Sequence, residues 1–187
     1  HLCGMSKFDQ FSKQLNLKEK VEVVGLAFNL LDEIEDVFKF VSHLKEENPN
    51  LKILLRAHPV DDRNMDLLKN FTFSNSKVEP AFTFLSRIDC LISGESSIHL
   101  EAVLLDVYPL HFHFYKPIQF DYYGFVKNNL VEHFANMSDL NKKLKDLQVL
   151  KPKVQQRAMP YNAAIGSEFY GRSSEKIANI ILDTMNN

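Results

Sequence analysis

Residues Val21–Arg56 read VEVVGLAFNLLDEIEDVFKFVSHLKEENPNLKILLR, and their pattern decides the fold. Val21-Glu22-Val23-Val24-Gly25-Leu26-Ala27 is a β-branched apolar run that stops at Phe28-Asn29. Leu30, Leu31, Ile34, Val37, Phe38, Val41 and Leu44 then fall on one helical stripe. Asn48-Pro49-Asn50 ends the helix, because proline lacks the backbone N–H and clashes with the preceding turn. Leu51–Arg56 follows as a nearly continuous apolar run, the pattern of a strand covered on both faces. Strand, helix and strand at this spacing predict parallel strands joined by a crossover helix.

The alternation continues outward. Thr72–Ser74 reads as a short strand, Pro80–Leu85 as a short helix and Ile88–Ile92 as a buried strand. Ser96–Leu105 reads as a helix and Val107–Phe114 as a strand. Phe120–Val131 reads as an aromatic loop with a helical piece, Met137–Leu147 as a helix capped by Ser138, and Ser174–Met185 as a closing helix. Phe8, Phe11, Leu15 and Leu17 have only loose helical spacing, which makes residues 1–20 a lead-in helix or linker and 21–187 one domain. The expected class is α/β with a mainly parallel sheet. Ligands of such sheets sit at the carboxyl ends of the strands, so the residues after each strand carry the functional reading.

Composition sets the outer limits. The 187 residues suffice for one domain that buries roughly 70% of its unfolded surface without disulfides or metal. A formal charge of −2 provides no global field to gather nucleic acid or an anionic membrane. Cys3 and Cys90 are the two cysteines, and Cys90 stands inside the run Ile88-Asp89-Cys90-Leu91-Ile92, which fits a reduced, cytoplasmic protein with a buried thiol. No stretch reaches the roughly 20 apolar residues that span a bilayer. The chain starts at His1, as a fragment or trimmed chain would.

Three groups of residues can carry chemistry. Arg56-Ala57-His58-Pro59 stands where a strand runs out. The guanidinium fork suits phosphate, His58 can donate to phosphate or a base, and Pro59 stiffens the loop. A surface ion pair beside a loop-packed histidine explains the same four residues equally well. Ser93-Gly94-Glu95-Ser96-Ser97 joins a buried strand to a helix, where small residues admit a ligand to the backbone and hydroxyls can meet a phosphate. Glu101, one turn after Ser97, could accept hydrogen bonds from a ribose diol. The plainer reading is a serine N-cap and a solvated glutamate. His99 reads as a packing or surface residue.

Phe120-Asp121-Tyr122-Tyr123-Gly124-Phe125 can stack on a base or sugar, or anchor its loop on the core, and anchoring is the expectation for at least two of the rings. His111 and His113 share one side of a strand, but no cysteine or carboxylate pattern beside them completes a metal site, so none is expected. There is no P-loop, no Gly-x-Gly-x-x-Gly turn and no Asp-x-Asp pair, which removes the usual support for ATPase, dinucleotide and metal-diphosphate readings.

Arg56-Ala57-His58-Pro59, together with Ser93-Gly94-Glu95-Ser96-Ser97 and Glu101-Ala102, resembles the donor site in the C-terminal domain of GT-B-fold glycosyltransferases. The likeness is to bacterial surface-polysaccharide enzymes of the sialyltransferase, Kdo-transferase and polyglycerolphosphate-polymerase kind. Phe169-Tyr170-Gly171-Arg172-Ser173 is similar to a segment of capsule-synthesis chains. The resemblance implies a Rossmann-like three-layer domain, one half of a GT-B fold, that binds a pyrimidine-nucleotide sugar through Arg56, His58, Pro59, Ser93, Gly94, Glu95, Ser96, Ser97 and Glu101.

It further implies metal-independent transfer with no cofactor besides the donor. A separate N-terminal domain or partner chain would be needed, leaving this chain inactive alone. The full-length protein is expected in the cytoplasm, with peripheral association at the inner membrane face, and with no nucleic-acid partner. No residue here is marked as the catalytic base; Asp121 and Glu95 are secondary candidates. Two rivals stand beside this reading: a UDP-N-acetylglucosamine epimerase-like domain, and a non-catalytic α/β binding module, which side chains filling the cleft near Arg56 and Ser97 would support.

Overall fold

The computed structural model describes residues 3–114 and 121–185. Among the described residues six strands form one sheet in the order β3-β2-β1-β4-β5-β6, with every pairing parallel. They are β1 (Val23–Phe28), β2 (Lys52–Ala57), β3 (Thr72–Phe73), β4 (Cys90–Ser93), β5 (Tyr108–Phe112) and β6 (Glu132–Phe134). The helices are α1 (Ile34–Glu47), α2 (Ala81–Leu85), α3 (Ile98–Leu104), α4 (Met137–Val149) and α5 (Ser173–Met185). This strand order is that of a doubly wound, Rossmann-like α/β domain. Among the described residues no helix is long and apolar enough to cross a membrane.

Alternate residues of the central strands feed two cores, and that produces the three layers. Val24, Leu26, Phe28, Leu55 and Ile92 pack with Val37, Val41 and Leu44 of α1 and Leu140, Leu144 and Leu147 of α4. On the other face Ala27, Leu54 and Leu91 meet Phe84 and Leu85 of α2 and Ile98 and Ala102 of α3. Gly25 lies under the second layer, where a Cβ would come 2.3 Å from Ile88 Cδ1 and 2.7 Å from Phe84 Cζ, so a larger residue would have to displace those two buried side chains. Truncating a fully buried residue such as Leu44 or Leu55 to alanine costs about 2–5 kcal/mol.

The lead-in segment packs on the same body. Phe8 is buried, Phe11 stacks on Phe82 with centroids 3.6 Å apart, and the Asp9 carboxylate accepts the Ser173 and Ser174 N–H groups at 2.9 Å, capping α5.

Four local expectations are corrected. Leu30 and Leu31 are not on the α1 stripe but exposed in a turn, because Asn29 Oδ1 accepts the Leu31 N–H at 2.7 Å and Asp32 Oδ2 accepts the Asn29 N–H at 2.8 Å, which holds the chain out of the helix until Ile34. Asn136, not Ser138, caps α4, its Oδ1 accepting the Asp139 N–H at 3.0 Å. Residues 121–131 form turns with no helix, and β6, unforeseen, follows at the sheet edge. Helix α3 begins at Ile98, two residues later than expected. Expectations for His1 and Phe120 lie outside the described residues.

Candidate functional site

Strands β1 and β4 are neighbours, yet the chain leaves β1 towards β2 on one side and β4 towards β5 on the other. Their following loops therefore diverge and leave a crevice at the carboxyl end of the sheet. The crevice is an open cleft of about 200 Å³, walled by Ala27–Asn29, Arg56–Pro59, Ala81, Ser93, Ser96–Ile98 and Glu101. Seven of the nine residues expected from sequence meet there: Arg56, His58, Pro59, Ser93, Ser96, Ser97 and Glu101. Ser93 Oγ donates to the Ala27 carbonyl at 2.8 Å and ties the two strands together at the floor.

Arg56 is buried and held from behind. Its guanidinium donates to Ser74 Oγ and to the Glu79 carbonyl, both at 2.7 Å, and packs over the Phe84 ring at 5.5 Å. Burial lowers its pKa, with Glu79 acting in the opposite sense. Burial likewise raises the Glu101 pKa, opposed by Lys7, whose Nζ is 3.8 Å from Glu101 Oε1, and by Arg56. The cleft thus sets a fixed cation and a half-buried carboxylate against each other, suited to a ligand with an anionic end and a hydroxyl-bearing end.

His58 and Pro59 are exposed at the rim. His58 Nδ1 accepts the Val60 N–H at 3.4 Å, so in the neutral ring the proton stands on Nε2, a donor free to face a ligand. Ser97 occupies the N-cap of α3 in a helical conformation and makes no side-chain capping bond. Ser96 Oγ accepts the Ile98 N–H at 3.4 Å, a long contact. The simple capping explanation for these serines is therefore only weakly realised.

Gly94 and Glu95 stand apart from the cleft lining. Glu95 turns to the other side of its loop, where Oε1 meets His111 Nε2 and Oε2 accepts the Tyr122 N–H, each at 3.2 Å. Burial raises its pKa, with Asp121 acting in the same sense and the Tyr122 bond opposing. His111 Nδ1 lies 2.9 Å from His133 Nδ1. Burial pushes the His111 pKa down to about 3, and that of fully buried His99 to about 4, so both rings are neutral. His99 Nε2 reaches the Ser93 and Gly94 carbonyls at 3.2 and 3.1 Å, which makes that nitrogen the protonated one and gives the ring a structural role in holding the turn.

Asp121 accepts the Val126 and Lys127 N–H groups at 3.2 and 2.9 Å, a loop-shaping use of its carboxylate. Phe125 is buried edge-on to Tyr161 and anchors the loop, whereas Tyr123, stacked on Phe125, and Tyr122 are both exposed, so one of these three rings is an anchor where at least two of the loop's rings were expected.

Sequence reasoning missed the clamp beside the cleft. Arg63 donates to both oxygens of buried Asp61, at 2.9 and 2.6 Å, and to the carbonyls of Asp32 at 2.7 Å and Asn29 at 2.9 Å. The Arg63 hydrogen bonds hold the Asp61 pKa below its ordinary value. Asp32 is fully buried, and burial pushes its pKa up to about 6 against the Asn29 bond and the Arg63 charge. The only sequence signal was the cluster Asp61-Asp62-Arg63 directly after the His-Pro pair.

Solved structures share this architecture. The wall teichoic acid polymerase TagF aligns with 96% of the chain at 21% identity and a TM-score of 0.57, over 47% of its own length. A TagF variant soaked with CDPG aligns with 94% at 22% identity and a TM-score of 0.54, over 44% of that chain. A TarM variant of S. aureus, in complex with Fondaparinux, alpha-GlcNAc-glycerol and UDP, aligns with 88% at 12% identity and a TM-score of 0.56, over 36% of its length. At these identities the likeness is one of fold, and the chain spans less than half the length of each neighbour. No protein-family model and no curated protein sequence matches the chain.

Proposed function

We propose that this chain is the donor-binding part of a glycosyltransferase that transfers a sugar from a CMP-, CDP- or UDP-linked donor to a surface polysaccharide or glycolipid acceptor. The observation that carries the reading is the convergence of Arg56, His58, Ser93, Ser96, Ser97 and Glu101 on one open cleft at the switch point between β1 and β4. The cleft is open, so the docking-module rival lacks the support that side chains filling it would have lent. The fold of TagF and TarM, one soaked with CDPG and the other in complex with UDP, supports the choice of a pyrimidine donor.

In this reading the donor phosphates lie between Arg56 and the Ser96-Ser97 turn, and the ribose diol meets Glu101. His58 Nε2–H donates to the nucleotide from the rim. Arg56 is prepositioned by Ser74 and Glu79, so it stabilises charge building on the leaving phosphate without reorganising first. The acceptor site and the base come from a further domain or partner chain, and transfer proceeds without a metal on the donor. The parent protein works in the cytoplasm at the inner membrane face.

Calorimetric titration with CMP, CDP, UMP, UDP and AMP, with and without magnesium, tests the reading. Saturable, magnesium-independent binding of a pyrimidine nucleotide is expected. Ser97→Ala and His58→Ala, both at exposed positions, each weaken it about 3- to 10-fold, the worth of one hydrogen bond, with thermal unfolding unchanged. Unchanged affinity in both variants removes these residues from the site.

A further inference from the structure

We propose that Glu95, His111 and His113 form a binding site for one divalent cation of the zinc class, behind the Ser93–Ser97 turn and separate from the cleft. The inference stands whether or not the cleft binds a nucleotide. One nitrogen of each histidine and one oxygen of Glu95 all lie within 4.8 Å of one another. Zinc bonds such atoms at about 2.0–2.2 Å, so tetrahedral ligands stand about 3.4 Å apart, and closing this set takes shifts of about 1 Å. His111 Nε2 and Glu95 Oε1 are already at 3.2 Å.

Parallel pairing builds the arrangement. Ser93 of β4 is in register with His111 of β5, so a side chain two residues beyond Ser93 reaches across the neighbouring strand end, and His113 follows His111 on the same side. No carboxylate stands near these histidines in sequence; the fold supplies one.

The ligand chemistry selects the ion. Two imidazoles and a carboxylate make a familiar zinc donor set, with a fourth position left for water, whereas magnesium and calcium favour all-oxygen shells. The outer contacts suit the same purpose: His133 Nδ1 meets the far nitrogen of His111, and the Tyr122 N–H holds the second oxygen of Glu95. Such partners orient ligands and fix their tautomers. Both ligand rings are buried, and burial lowers both pKa values, so the neutral form that a metal requires is the one present. A cation here would pin the turn bearing Ser96 and Ser97 to the end of β5, making it a structural brace of the cleft wall.

The test is titration of the chelator-treated chain with Zn²⁺ alone, followed by Co²⁺ as a coloured probe of coordination. One equivalent of Zn²⁺ is expected to bind, and Co²⁺ to give a tetrahedral visible spectrum. Glu95→Gln, a conservative change at a half-buried position, and His113→Ala each weaken binding at least about tenfold. A variant lacking Cys3 and His43, both outside the cluster, binds as the parent does. Absence of a one-equivalent site, or binding that survives Glu95→Gln and His113→Ala, overturns the proposal. Because the titration contains no nucleotide, its failure is distinct from failure of the donor reading.

Discussion

The two ends of the sheet differ in how completely they satisfy buried polar groups. At the amino end Asp89 accepts the Glu22 and Val23 N–H groups at 2.9 Å and Asn16 Nδ2 at 3.0 Å, and pairs with Lys18 at 3.3 Å. Asp106, in the left-handed region at φ +61°, accepts the Val154 and Gln155 N–H groups at 2.6 and 3.1 Å, while Lys151 donates to its carbonyl at 2.7 Å. At the carboxyl end Asp32 Oδ1 and His99 Nδ1 are buried with no hydrogen-bond partner among the described residues, and burial raises the Asp32 pKa to about 6. A saturated end secures the chain. The unsatisfied atoms of Asp32 and His99, which lie outside the cleft lining, carry a desolvation cost instead.

The sharpest way to break this contrast is Asp89→Ala. It strands two backbone N–H groups, Asn16 and Lys18 at once and is expected to cost about 3–5 kcal/mol in urea unfolding. A loss below about 1 kcal/mol would mean that the amino end is not the anchor.

Arg63→Ala comes next, at about 2–3 kcal/mol, because it leaves the buried Asp61 carboxylate uncompensated. It also frees the Asn29–Asp32 turn, so nucleotide affinity should fall with stability, a pairing that Asp89→Ala should not show in its folded fraction. Calorimetry on the folded variants separates the two.

Asp32→Asn has the smallest effect and the opposite sign. The folded pKa of about 6 lies above the unfolded value of 3.8, so the folded state holds the proton more tightly. The resulting stability is full below pH 3.8 and lost as pH rises to about 6. At pH 7 the wild-type carboxylate carries the whole burial cost, and the asparagine variant should be more stable by on the order of 1–2 kcal/mol. Its advantage should fade towards pH 4; a gain that is flat with pH would show that charge is not the cause.

Much of the fold was legible because β1, β2 and β4 are buried on both faces and announce themselves as apolar runs. The cleft residues followed from the rule that loops after parallel strands bind ligands, which needs only strand ends. What stayed hidden depended on contacts distant in sequence or on local side-chain competition. Leu30 and Leu31 fit the helical period, but the Asn29–Asp32 turn overrode it. Glu132-His133-Phe134 is too short and polar to read as a strand, and it becomes one only beside β5. Glu95 looked like part of the nucleotide turn because a sequence does not say towards which side of a loop a carboxylate points.

The bond from Ser93 Oγ to the Ala27 carbonyl joins residues 66 positions apart. Strand β2 can zip onto β1 through a short local crossover, but the cleft floor must wait for this much longer loop to close, a step slowed by chain entropy. Anything that binds across this floor would therefore bridge two segments that meet only through a long loop, and would add its binding free energy to the stability of their junction.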